Sequence, residues 1–524
     1  RLVETRNSIH GPLAVTAVGR QISFYANGLL LGAEDEQMAA EQLAHFPMLW
    51  HPNPRQVLLV GGGFNGALGE ILQHQPDRVD YVEMDPQLVD LAREHAGPAR
   101  RRALDDPRVN TVIADARFFL KPRPDVPVAI YDVVILNLPH PGTVLINRCY
   151  SLEFFRDVRR RMAPGGVLAV RLAFSPDYLS CELNDLGASI HRTLRAVFDS
   201  VAILPEYEIF YLATAGPLAP PPAPADLIAR YVQRGLRTDF VIPSAIEYRL
   251  TTDRIGQVRA AFEANERAQL NRDARPMACH YTFVHWLSAF HSRAAAWARI
   301  AGDVRWPAPV AAALAMAAMG FSIRGRRPRR LGAWAMGIGS FTLMACELVL
   351  LLAFQVFCGY LYYKIALILA ALMLGMALGT ALGTRIPGGV RPWMLAGIHA
   401  LLAIYAAGLA GALRLWDSTA MGCSPGIEWA FLLLAGVVGG LVGLEFPVAN
   451  RIYLGGDPEG TRRVGVIYSV DLVGSCVAAL AIGLWALPVL GLIATVLLLA
   501  ALNAATALIA ISPGFFRHPA QGRS

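Results

Sequence analysis

The stretch from Val57 to Asp85 constrains the fold most, because it reads as a buried strand, a glycine turn, a helix and a second strand that ends in an acid. The apolar run Val57 to Val60 is typical of a parallel strand, and Ala67 to Gln73 begins a helix. Glu83 follows the second strand, Val79 to Val82, about 20 residues after the turn. An acid at this position can accept hydrogen bonds from both hydroxyls of a ribose. The stretch therefore predicts a nucleoside-binding unit.

The glycine turn is less specific than the acid. Gly61, Gly63 and Gly66 match the pattern G-x-G-x-x-G, in which glycines let the backbone approach a nucleotide closely. The same pattern is also found in turns that only close a βα unit. The acid at the tip of the next strand favours the nucleoside site over this simpler interpretation.

Strands and helices continue to alternate after this stretch. One strand ends at Asp115, the apolar run Tyr131 to Leu136 ends before Asn137, and a helix over Glu153 to Met162 precedes a strand over Val167 to Leu172. This order predicts a doubly wound parallel sheet whose carboxyl edge carries the ligand groups.

Shorter patterns flank the predicted sheet. Residues 1 to 31 alternate apolar and polar side chains around a turn at Asn27-Gly28, which predicts a small β-hairpin region. Glu34 to Phe46 predicts a helix. Beyond the sheet, Val201 to Leu204 and Ile209 to Ala213 predict a terminal hairpin.

The second half of the chain is far more apolar than the first. Of the 524 residues 54% are hydrophobic, the mean hydropathy is +0.40, and the excess lies in residues 332 to 512. Six segments are long enough to span a bilayer, and they cover residues 332 to 357, 361 to 383, 393 to 413, 429 to 450, 464 to 486 and 488 to 511. We therefore expect an α/β domain followed by an all-α transmembrane helix bundle.

The predicted regions follow from these patterns. They are an N-terminal β-hairpin and helix region (1–50), a nucleoside-binding domain (51–300), an interfacial or re-entrant segment with an arginine-rich connector (301–331), a six-helix transmembrane domain (332–512) and a cytoplasmic tail (513–524).

The basic residues indicate orientation rather than nucleic-acid binding. The formal net charge is +7, and arginines such as Arg385, Arg391 and Arg451 lie on alternate connectors between the spans. The positive-inside rule then places both ends of the bundle in the cytoplasm, as expected for a multi-pass protein of a bacterial inner membrane. If residues 307 to 323 crossed as well, the soluble domain would lie outside. Because this segment is short, we expect it to be interfacial or re-entrant and the soluble domain to be cytoplasmic.

Cysteines and the N-terminus add little. The seven cysteines are scattered without C-x-x-C spacing, so the sequence predicts neither a zinc site nor a readable disulfide framework. The first residues lack the apolar core of a signal peptide, and the Arg at position 1 suggests that other residues precede it in the native chain.

Three acids lie inside predicted spans. An ionisable group within a bilayer is costly and usually faces a cavity or a partner, so Glu347 and Asp471 are candidates for a transport path or a polar subunit contact. Glu445 is nearer the predicted cytoplasmic end, where its side chain could instead reach the interface. Glycines at every fourth position from Gly375 to Gly383 predict close helix packing.

Several motifs in order carry a family resemblance. They read HPNPRQVLLVGGG, YVEMDPQLVDLA, DDPRVNTVIADARFFL, YDVVILNLPHP, NRCYSLEFFRDVRRRMAPGGVLAVRL and LNRDARP. This series resembles the polyamine aminopropyltransferases, the spermidine synthase family, and more closely the bacterial proteins in which such a domain is fused to membrane helices. The resemblance covers residues 1 to 290 and implies the Rossmann-like methyltransferase/spermidine synthase fold.

The resemblance also implies a ligand and its site. In that family the glycine turn and the acid after the second strand hold decarboxylated S-adenosylmethionine, and an Asp after the third strand lies beside the adenine. The matching positions are Gly61, Gly62, Gly63, Asn65, Glu83, Asp115 and Ala116. The resemblance further places Tyr150 in the pocket lining and leaves Asp35, Glu36 and Glu41 as acids for an amine substrate.

Two departures from the family pattern bear on catalysis. Family members typically have an acid after the three glycines, where this chain has Phe64-Asn65, and an Asp after the fourth strand, where it has Asn137. That Asp is the presumed base for the attacking amine, and a neutral amide has no useful basicity. His140 is an alternative base because an imidazole titrates near neutral pH, although a solvated side chain in a Pro-flanked loop is the simpler interpretation.

Three functions stay open at this point. The first is an enzyme that binds decarboxylated S-adenosylmethionine, or S-adenosylmethionine, and transfers an aminopropyl group to an amine. The second is a catalytically inactive subunit that acts as a scaffold or a small-cation pathway in a membrane complex. The third is a methyltransferase that uses S-adenosylmethionine. The expected partners are the lipid bilayer, a small-molecule amine or none, and a second copy or other subunits; neither a metal nor nucleic acid is predicted.

Overall fold

A computed structural model describes residues 1–19, 21–33, 36–121, 129–175, 178–216, 221–251, 253–302, 328–359, 362–386, 389–419, 425–455 and 460–511. Asp35, the segment 307–323, the arginines at 324–327 and the tail 513–524 lie outside the described residues. The chain divides into two compact units. The α/β unit comprises Arg1–Asp273 and Met277–Ala295, and the helical unit comprises Ala274–Pro276 and Ala296–Ser524.

A four-stranded antiparallel sheet begins the α/β unit. Its strands, in spatial order, are β1 (Leu2–Ser8), β2 (Gly11–Val18), β3 (Gln21–Ala26) and β4 (Leu29–Ala33). Asn27 and Gly28 have φ of 51° and 78° between β3 and β4, as a tight hairpin turn requires, which confirms the predicted turn. Helix α1 (Gln37–Trp50) ends later than predicted, because it continues through Pro47.

A seven-stranded sheet forms the centre of the unit. Its strands are β5 (Gln56–Val60), β6 (Arg78–Glu83), β7 (Val109–Ile113), β8 (Tyr131–Leu136), β9 (Met162–Ala173), β10 (Ser200–Pro205) and β11 (Glu208–Thr214). Their order is β10-β11-β9-β8-β5-β6-β7; β5 to β9 run parallel, and β11 and β10 add an antiparallel hairpin. The fold class predicted from the sequence is confirmed. The order brings the ends of β5, β6, β7 and β8 to one edge.

Helices cover both faces of this sheet. The helices of this unit are α2 (Ala67–Gln73), α3 (Pro86–His95), α4 (Pro98–Leu104), α5 (Ala116–Leu120), α6 (Val144–Asn147), α7 (Leu152–Arg160), α8 (Cys181–Arg195), α9 (Pro224–Gln233), α10 (Pro243–Thr251), α11 (Asp253–Ala264) and α12 (Met277–Ser288). Helix α13 (Ser292–Gly302) begins in this unit and ends in the helical unit. Alternate side chains of β5 enter different cores, since Val57 and Leu59 belong to one apolar cluster and Leu58 and Val60 to another. Burial on both faces explains why this strand reads as a continuous apolar run.

The helical unit contains long apolar helices. They are α14 (Pro328–Cys358), α15 (Tyr362–Thr384), α16 (Pro392–Thr419), α17 (Pro425–Leu454), α18 (Gly460–Ala481), the short α19 (Leu487–Leu490) and α20 (Leu492–Ile511), with a π-helical turn over Ile482–Ala486. Within the described residues, six spans are long and apolar enough to cross a membrane, as predicted. Cys358 is disulfide-bonded, a link that the scattered cysteines did not predict.

Glycines allow the backbones of α15 and α17 to pack in direct contact. A Cβ added to Gly375 would lie 2.1 Å from the carbonyl oxygen of Gly436, and one added to Gly379 would lie 2.1 Å from that of Gly440. The glycine spacing therefore has the packing role that the sequence predicted.

Candidate nucleoside and amine site

The glycine turn lies directly against the end of β8. Gly61 and Gly62 have φ of 76° and 58°, a region that side chains rarely adopt. A Cβ on Gly62 would lie 2.3 Å from Nδ2 of Asn137, and one on Gly63 would lie 2.7 Å from the ring of Tyr81. Gly61 and Gly62 are therefore required by conformation and by close approach, and Gly63 by close approach alone.

Glu83 is fixed at the tip of β6 beside this turn. Its Oε1 accepts hydrogen bonds from the backbone N–H groups of Met84 (2.8 Å) and Asp85 (3.3 Å), and its Oε2 accepts one from the Tyr81 hydroxyl (3.0 Å). Burial raises the pKa of Glu83, and these donors offset part of that rise. The carboxylate is thus oriented in advance for a ligand at the carboxyl edge of the sheet.

Asp115 begins α5 and is already paired. Its carboxylate accepts from the backbone N–H groups of Arg117 (2.9 Å) and Phe118 (3.4 Å) and forms an ion pair with Arg148. Although burial alone would raise the pKa of Asp115, the Arg148 guanidinium and these donors hold it below its usual range. Ala116, also predicted to contact the cofactor, is the first residue of α5 and is half-buried.

Asn137 presents an unsatisfied acceptor at the tip of β8. Its Nδ2 donates to the carbonyl oxygen of Gly62 (3.0 Å), and its backbone N–H donates to Val60 (2.9 Å). Its Oδ1 is buried and has no hydrogen-bond partner among the described residues. This oxygen can accept a hydrogen bond from an amine, but the amide cannot remove a proton.

His140 and Tyr150 are both occupied within the protein. Nδ1 of His140 accepts from the backbone N–H of Ala173 (3.1 Å), so the neutral ring carries its proton on Nε2 and has no free lone pair. Burial lowers the pKa of His140, which favours that neutral form. The Tyr150 hydroxyl donates to the carbonyl oxygens of Leu138 (3.2 Å) and Pro139 (3.0 Å). The geometry makes His140 a poor base and gives Tyr150 the role of holding this loop.

The acids before the turn divide into two roles. Glu41 is fully buried and accepts three backbone hydrogen bonds, of 2.8 to 3.0 Å, from residues 239 to 241. Although burial alone would raise the pKa of Glu41, those donors lower it. The Glu36 carboxylate lies 3.7 Å from the point where a Cβ on Gly32 would sit, and Cβ of Asn65 lies 3.0 Å from the same point. Glu36 therefore borders the glycine turn, whereas Glu41 serves the structure.

Phe64 fills the position where the family pattern has an acid. Its side chain is 2% exposed, and its ring centroid lies 5.1 Å from that of Phe24. The adjacent Asn65 accepts from the backbone N–H of Ala67 (3.3 Å) through Oδ1. An apolar contact between the glycine turn and β3 thus lies where the family pattern has a charge.

A buried relay between α1 and α2 was missed by the sequence reasoning. Arg234 donates to Nδ1 of His74 (2.9 Å), which fixes a chain from His74 Nε2 to His45 Nδ1 (2.8 Å) and from His45 Nε2 to Glu70 (2.9 Å). Burial lowers the pKa of His74, so it remains neutral. No spacing in the sequence signals these contacts, because Arg234 lies far along the chain from its partners.

One cluster has the composition of a metal site. Among the described residues, Glu4, Glu94 and His95 place ligand atoms within 4.8 Å of one another. The Arg6 guanidinium already pairs with Glu4 (2.5 Å) and with Glu94 (2.7 Å). A cation therefore already occupies the position that a metal would take.

The three predicted intramembrane acids have different surroundings. Glu347 is half-buried on α14, Asp471 is half-buried on α18, and Glu445 on α17 is fully buried 3.3 Å from His399. The interpretation that Glu445 reaches the membrane interface is wrong, because its side chain is enclosed by protein.

Comparison with known proteins agrees with this geometry. Residues 36–212 match the family model described as the spermine/spermidine synthase domain. The chain is 36% identical over 183 residues to polyamine aminopropyltransferase 2 of Pseudomonas aeruginosa, which covers 33% of this chain and 49% of that protein. It is 37% identical over 169 residues to the polyamine aminopropyltransferase of Aeropyrum pernix, covering 32% of this chain and 51% of that protein. It is 30% identical over 216 residues to the polyamine aminopropyltransferase of Pyrobaculum calidifontis, covering 39% of this chain and 72% of that protein.

A crystal structure of spermidine synthase in complex with the transition-state analogue AdoDATO matches with a TM-score of 0.43 at 21% identity, covering 50% of this chain and 88% of that chain.

The doubly wound sheet, with a glycine turn and an acid at the tips of its strands, defines a protein of the Rossmann-like class. Within that class, the chain belongs to the spermine/spermidine synthase family. It spans about half the length of the Pseudomonas and Aeropyrum relatives.

Proposed function

We propose that the α/β unit binds decarboxylated S-adenosylmethionine and transfers its aminopropyl group to an amine. The observation that carries this proposal is Glu83, held by three donors beside the glycine turn at the carboxyl edge of the sheet. A carboxylate so placed can accept both ribose hydroxyls of the adenosyl group. Membership of a family whose relatives are named polyamine aminopropyltransferases supports the same reaction.

The transfer is a direct displacement. The lone pair of a neutral amine forms a bond to the propyl carbon next to the sulfonium, and the carbon–sulfur electron pair goes to sulfur, which leaves as methylthioadenosine. The extra proton on the new ammonium passes to water, because Asn137 cannot take it. Oδ1 of Asn137 instead orients the amine by accepting one of its hydrogens. The rate should therefore rise with pH until the acceptor amine is itself deprotonated, near pH 10 for an alkylamine.

The charges near the turn favour an acceptor with few positive charges. Phe64 removes one carboxylate of the family pattern, and Glu41 is consumed by backbone donors. Among the described acids considered for the amine, Glu36 borders the turn. Since a multiple cation needs several carboxylates to offset its desolvation, a monoamine or a short diamine fits this site better than a long polyamine.

Titration calorimetry of the full-length protein in detergent tests ligand binding. The ligands are decarboxylated S-adenosylmethionine, S-adenosylmethionine and methylthioadenosine. We expect selectivity for the decarboxylated form and weakening by roughly 10- to 100-fold in Glu83→Gln, because a hydrogen bond to a charged acceptor contributes about 1.5–3 kcal/mol. Glu263→Gln, an exposed acid on α11, is the matched control. The absence of binding to all three ligands would contradict the proposal.

A second candidate is a non-catalytic nucleoside-binding subunit. It is favoured by Asn137, whose amide donates to Gly62 and provides no base. This candidate predicts nucleoside binding without methylthioadenosine release for every amine tested, at neutral and at alkaline pH. Preferred methyl transfer from S-adenosylmethionine would instead support the methyltransferase.

We also propose that the helical unit lies in the bacterial inner membrane with its arginine-bearing ends in the cytoplasm. Helix α14 carries Arg329 and Arg330 in its first turn and ends at the disulfide-bonded Cys358. Arginines beside spans stay in the cytoplasm, whereas disulfides persist in oxidising compartments, so both features support one orientation.

The cytoplasmic location of the α/β unit remains a prediction, because it depends on residues 307–323. The natural thiol of Cys181 is free and exposed on this unit. Labelling with a membrane-impermeant maleimide is expected only after lysis of spheroplasts, with Cys181→Ser as the control. Labelling of intact spheroplasts would place this unit outside the cytoplasm.

A further inference from the structure

A fully buried polar cluster joins four helices of the helical unit. Oε1 of Glu445 on α17 lies 3.3 Å from Nε2 of His399 on α16, and both side chains are at most 1% exposed. Nδ1 of His399 lies 2.8 Å from Oδ1 of Asn503 on α20. Nδ2 of Asn503 donates to the hydroxyl of Thr342 on α14 (2.8 Å) and to the carbonyl of Leu499 (2.9 Å). Side chains far apart in sequence therefore form one connected group.

This chain fixes where the histidine holds its protons. The amide nitrogen of Asn503 already serves two acceptors, so its oxygen faces His399, and Nδ1 of His399 must carry a hydrogen. Nε2 lies 3.3 Å from Oε1 of Glu445, although the two atoms are not aligned as a hydrogen bond. Without a proton between them, two lone pairs would face each other at 3.3 Å in a buried site. The pair therefore holds at least one proton, on the imidazole or on the carboxylate.

The Glu445 carboxylate has space around it but forms no hydrogen bond among the described residues. Both of its oxygens lack a well-oriented hydrogen bond among the described residues, although the ion-pair distance to His399 is met. A Cβ on Gly339 of α14 would lie 2.1 Å from Oε2, so the glycine makes space for this oxygen. On α18, a Cβ added to Gly474 would lie 2.6 Å from Oγ of Ser340, which places Asp471, three residues earlier on the same helix, beside this segment of α14. Two acids thus converge on one short segment of α14.

The other neighbouring groups do not neutralise these acids. On α14, Glu347 lies eight residues beyond Gly339, about 12 Å along the axis. On α15, Lys364 pairs with Glu428, and Thr380 donates to a backbone carbonyl of α17. On α20, Asn503 is uncharged. A charged His399 with two ionised acids would leave one net negative charge inside the bilayer, which is costly without a bound cation.

We propose that Glu445 and His399 form a proton-binding site inside the helical unit, with Asp471 as a second acid of the same site. The exchangeable proton adds to a carboxylate oxygen of Glu445 from a hydronium ion, water is released, and no other bond changes. A proton fits better than a metal ion, because among the described residues the ligand atoms of these three side chains do not converge within 4.8 Å of one another. Carboxylates and histidines enclosed within spans are the groups that carry protons in membrane proteins. The inference is independent of the reaction proposed for the α/β unit.

Infrared difference spectroscopy of the full-length protein in lipid nanodiscs tests the site. When the pH is lowered and then restored, the carbonyl band of a buried carboxylic acid should rise and fall reversibly. We expect Glu445→Gln to remove this band. Glu347→Gln, at a half-buried acid on α14, is the matched control and should leave it unchanged. A band that persists in Glu445→Gln, or the lack of any reversible band in the wild type, would overturn the proposal.

A second variant tests the proton-binding site if Glu445→Gln does not fold. Gly339→Ala keeps every titrating group and places a methyl group at the position of Glu445 Oε2. The midpoint of the same band should then move measurably, with Gly397→Ala, which has open space around it, as the control. An unchanged midpoint in Gly339→Ala would also overturn the proposal.

Discussion

Replacing Asn137 with Asp tests whether a missing base limits the proposed transfer. The change keeps the size of a buried side chain but removes the Nδ2–H group that donates to Gly62 over 3.0 Å. The new carboxylate would face that carbonyl oxygen, and losing the hydrogen bond should lower the free energy of unfolding by about 1–3 kcal/mol. The same repulsion favours the protonated acid, so the gain in base catalysis should appear mainly above neutral pH.

The expected catalytic gain follows from the usual contribution of a positioned base. General base catalysis contributes about 10²–10⁴-fold, and the unfavourable carbonyl contact places the gain for Asn137→Asp near the lower end, about 100-fold in kcat/KM. The assay is methylthioadenosine release by the full-length protein from decarboxylated S-adenosylmethionine and a short diamine. The pH profile should also change, because the variant should reach its plateau at a lower pH than the wild type.

A matched variant separates a base from a general effect of a new buried acid. Asn147 is 1% exposed in the same unit, and its Oδ1 accepts from the backbone N–H of Cys279 (3.0 Å), so Asn147→Asp adds an acid without placing it at the tip of β8. It should produce no gain. If Asn137→Asp still binds the nucleoside but transfers no faster, the missing base is not the limiting feature.

Three further predictions concern stability, and each is measured by unfolding of the full-length protein in detergent. Gly62→Ala combines a positive φ with a close contact and should cost about 2 kcal/mol or more, whereas Gly69→Ala, in open space on α2, should gain about 0.5–1 kcal/mol; equal effects would contradict the role of the turn. Gly379→Ala should destabilise the helical unit by about 1–3 kcal/mol and Gly397→Ala should not, and a stable Gly379→Ala would refute the backbone contact. Asp115→Asn should cost about 3 kcal/mol at neutral pH. The pKa of Asp115 in the folded protein lies below its ordinary value of 3.8. The difference in unfolding free energy should therefore be complete above pH 3.8 and disappear as the pH falls through the pKa of the folded state. A difference in stability that persists in acid would contradict this ion pair.

The part of the site built from local signals could be predicted from the sequence. Val57 to Val60 reads as a buried strand because both faces of β5 are covered, and the residue after such a strand must lie at the sheet edge. The positions of Glu83 and Asn137 at that edge follow from the same logic. The sequence also identified the six long apolar helices, since hydropathy alone decides them.

The functional state of individual side chains could not be predicted, because it depends on distant partners. Glu41 looked available to an amine, yet its carboxylate serves backbone groups of residues 239 to 241. A single histidine in an apolar span, such as His399, has no sequence pattern that predicts a partner. The folded bundle places Glu445 beside it. The sequence predicted His140 as an alternative base because it does not reveal the hydrogen bond that Nδ1 accepts from Ala173.

The hydrogen bonds of Glu41 can form only late in synthesis, because their donors lie in the segment after Arg237. Glu41 and its partner Val241 are 200 residues apart, so a ribosome adding about 5–20 residues per second needs about 10–40 s to deliver the donors after it has made the acid. During that interval, α1 carries a carboxylate that must stay in water, which prevents the helix from completing its packing. The long apolar helices from Pro328 onward emerge later still. The donors for Glu41 are therefore made before the long apolar helices, and this contact can form before membrane insertion begins.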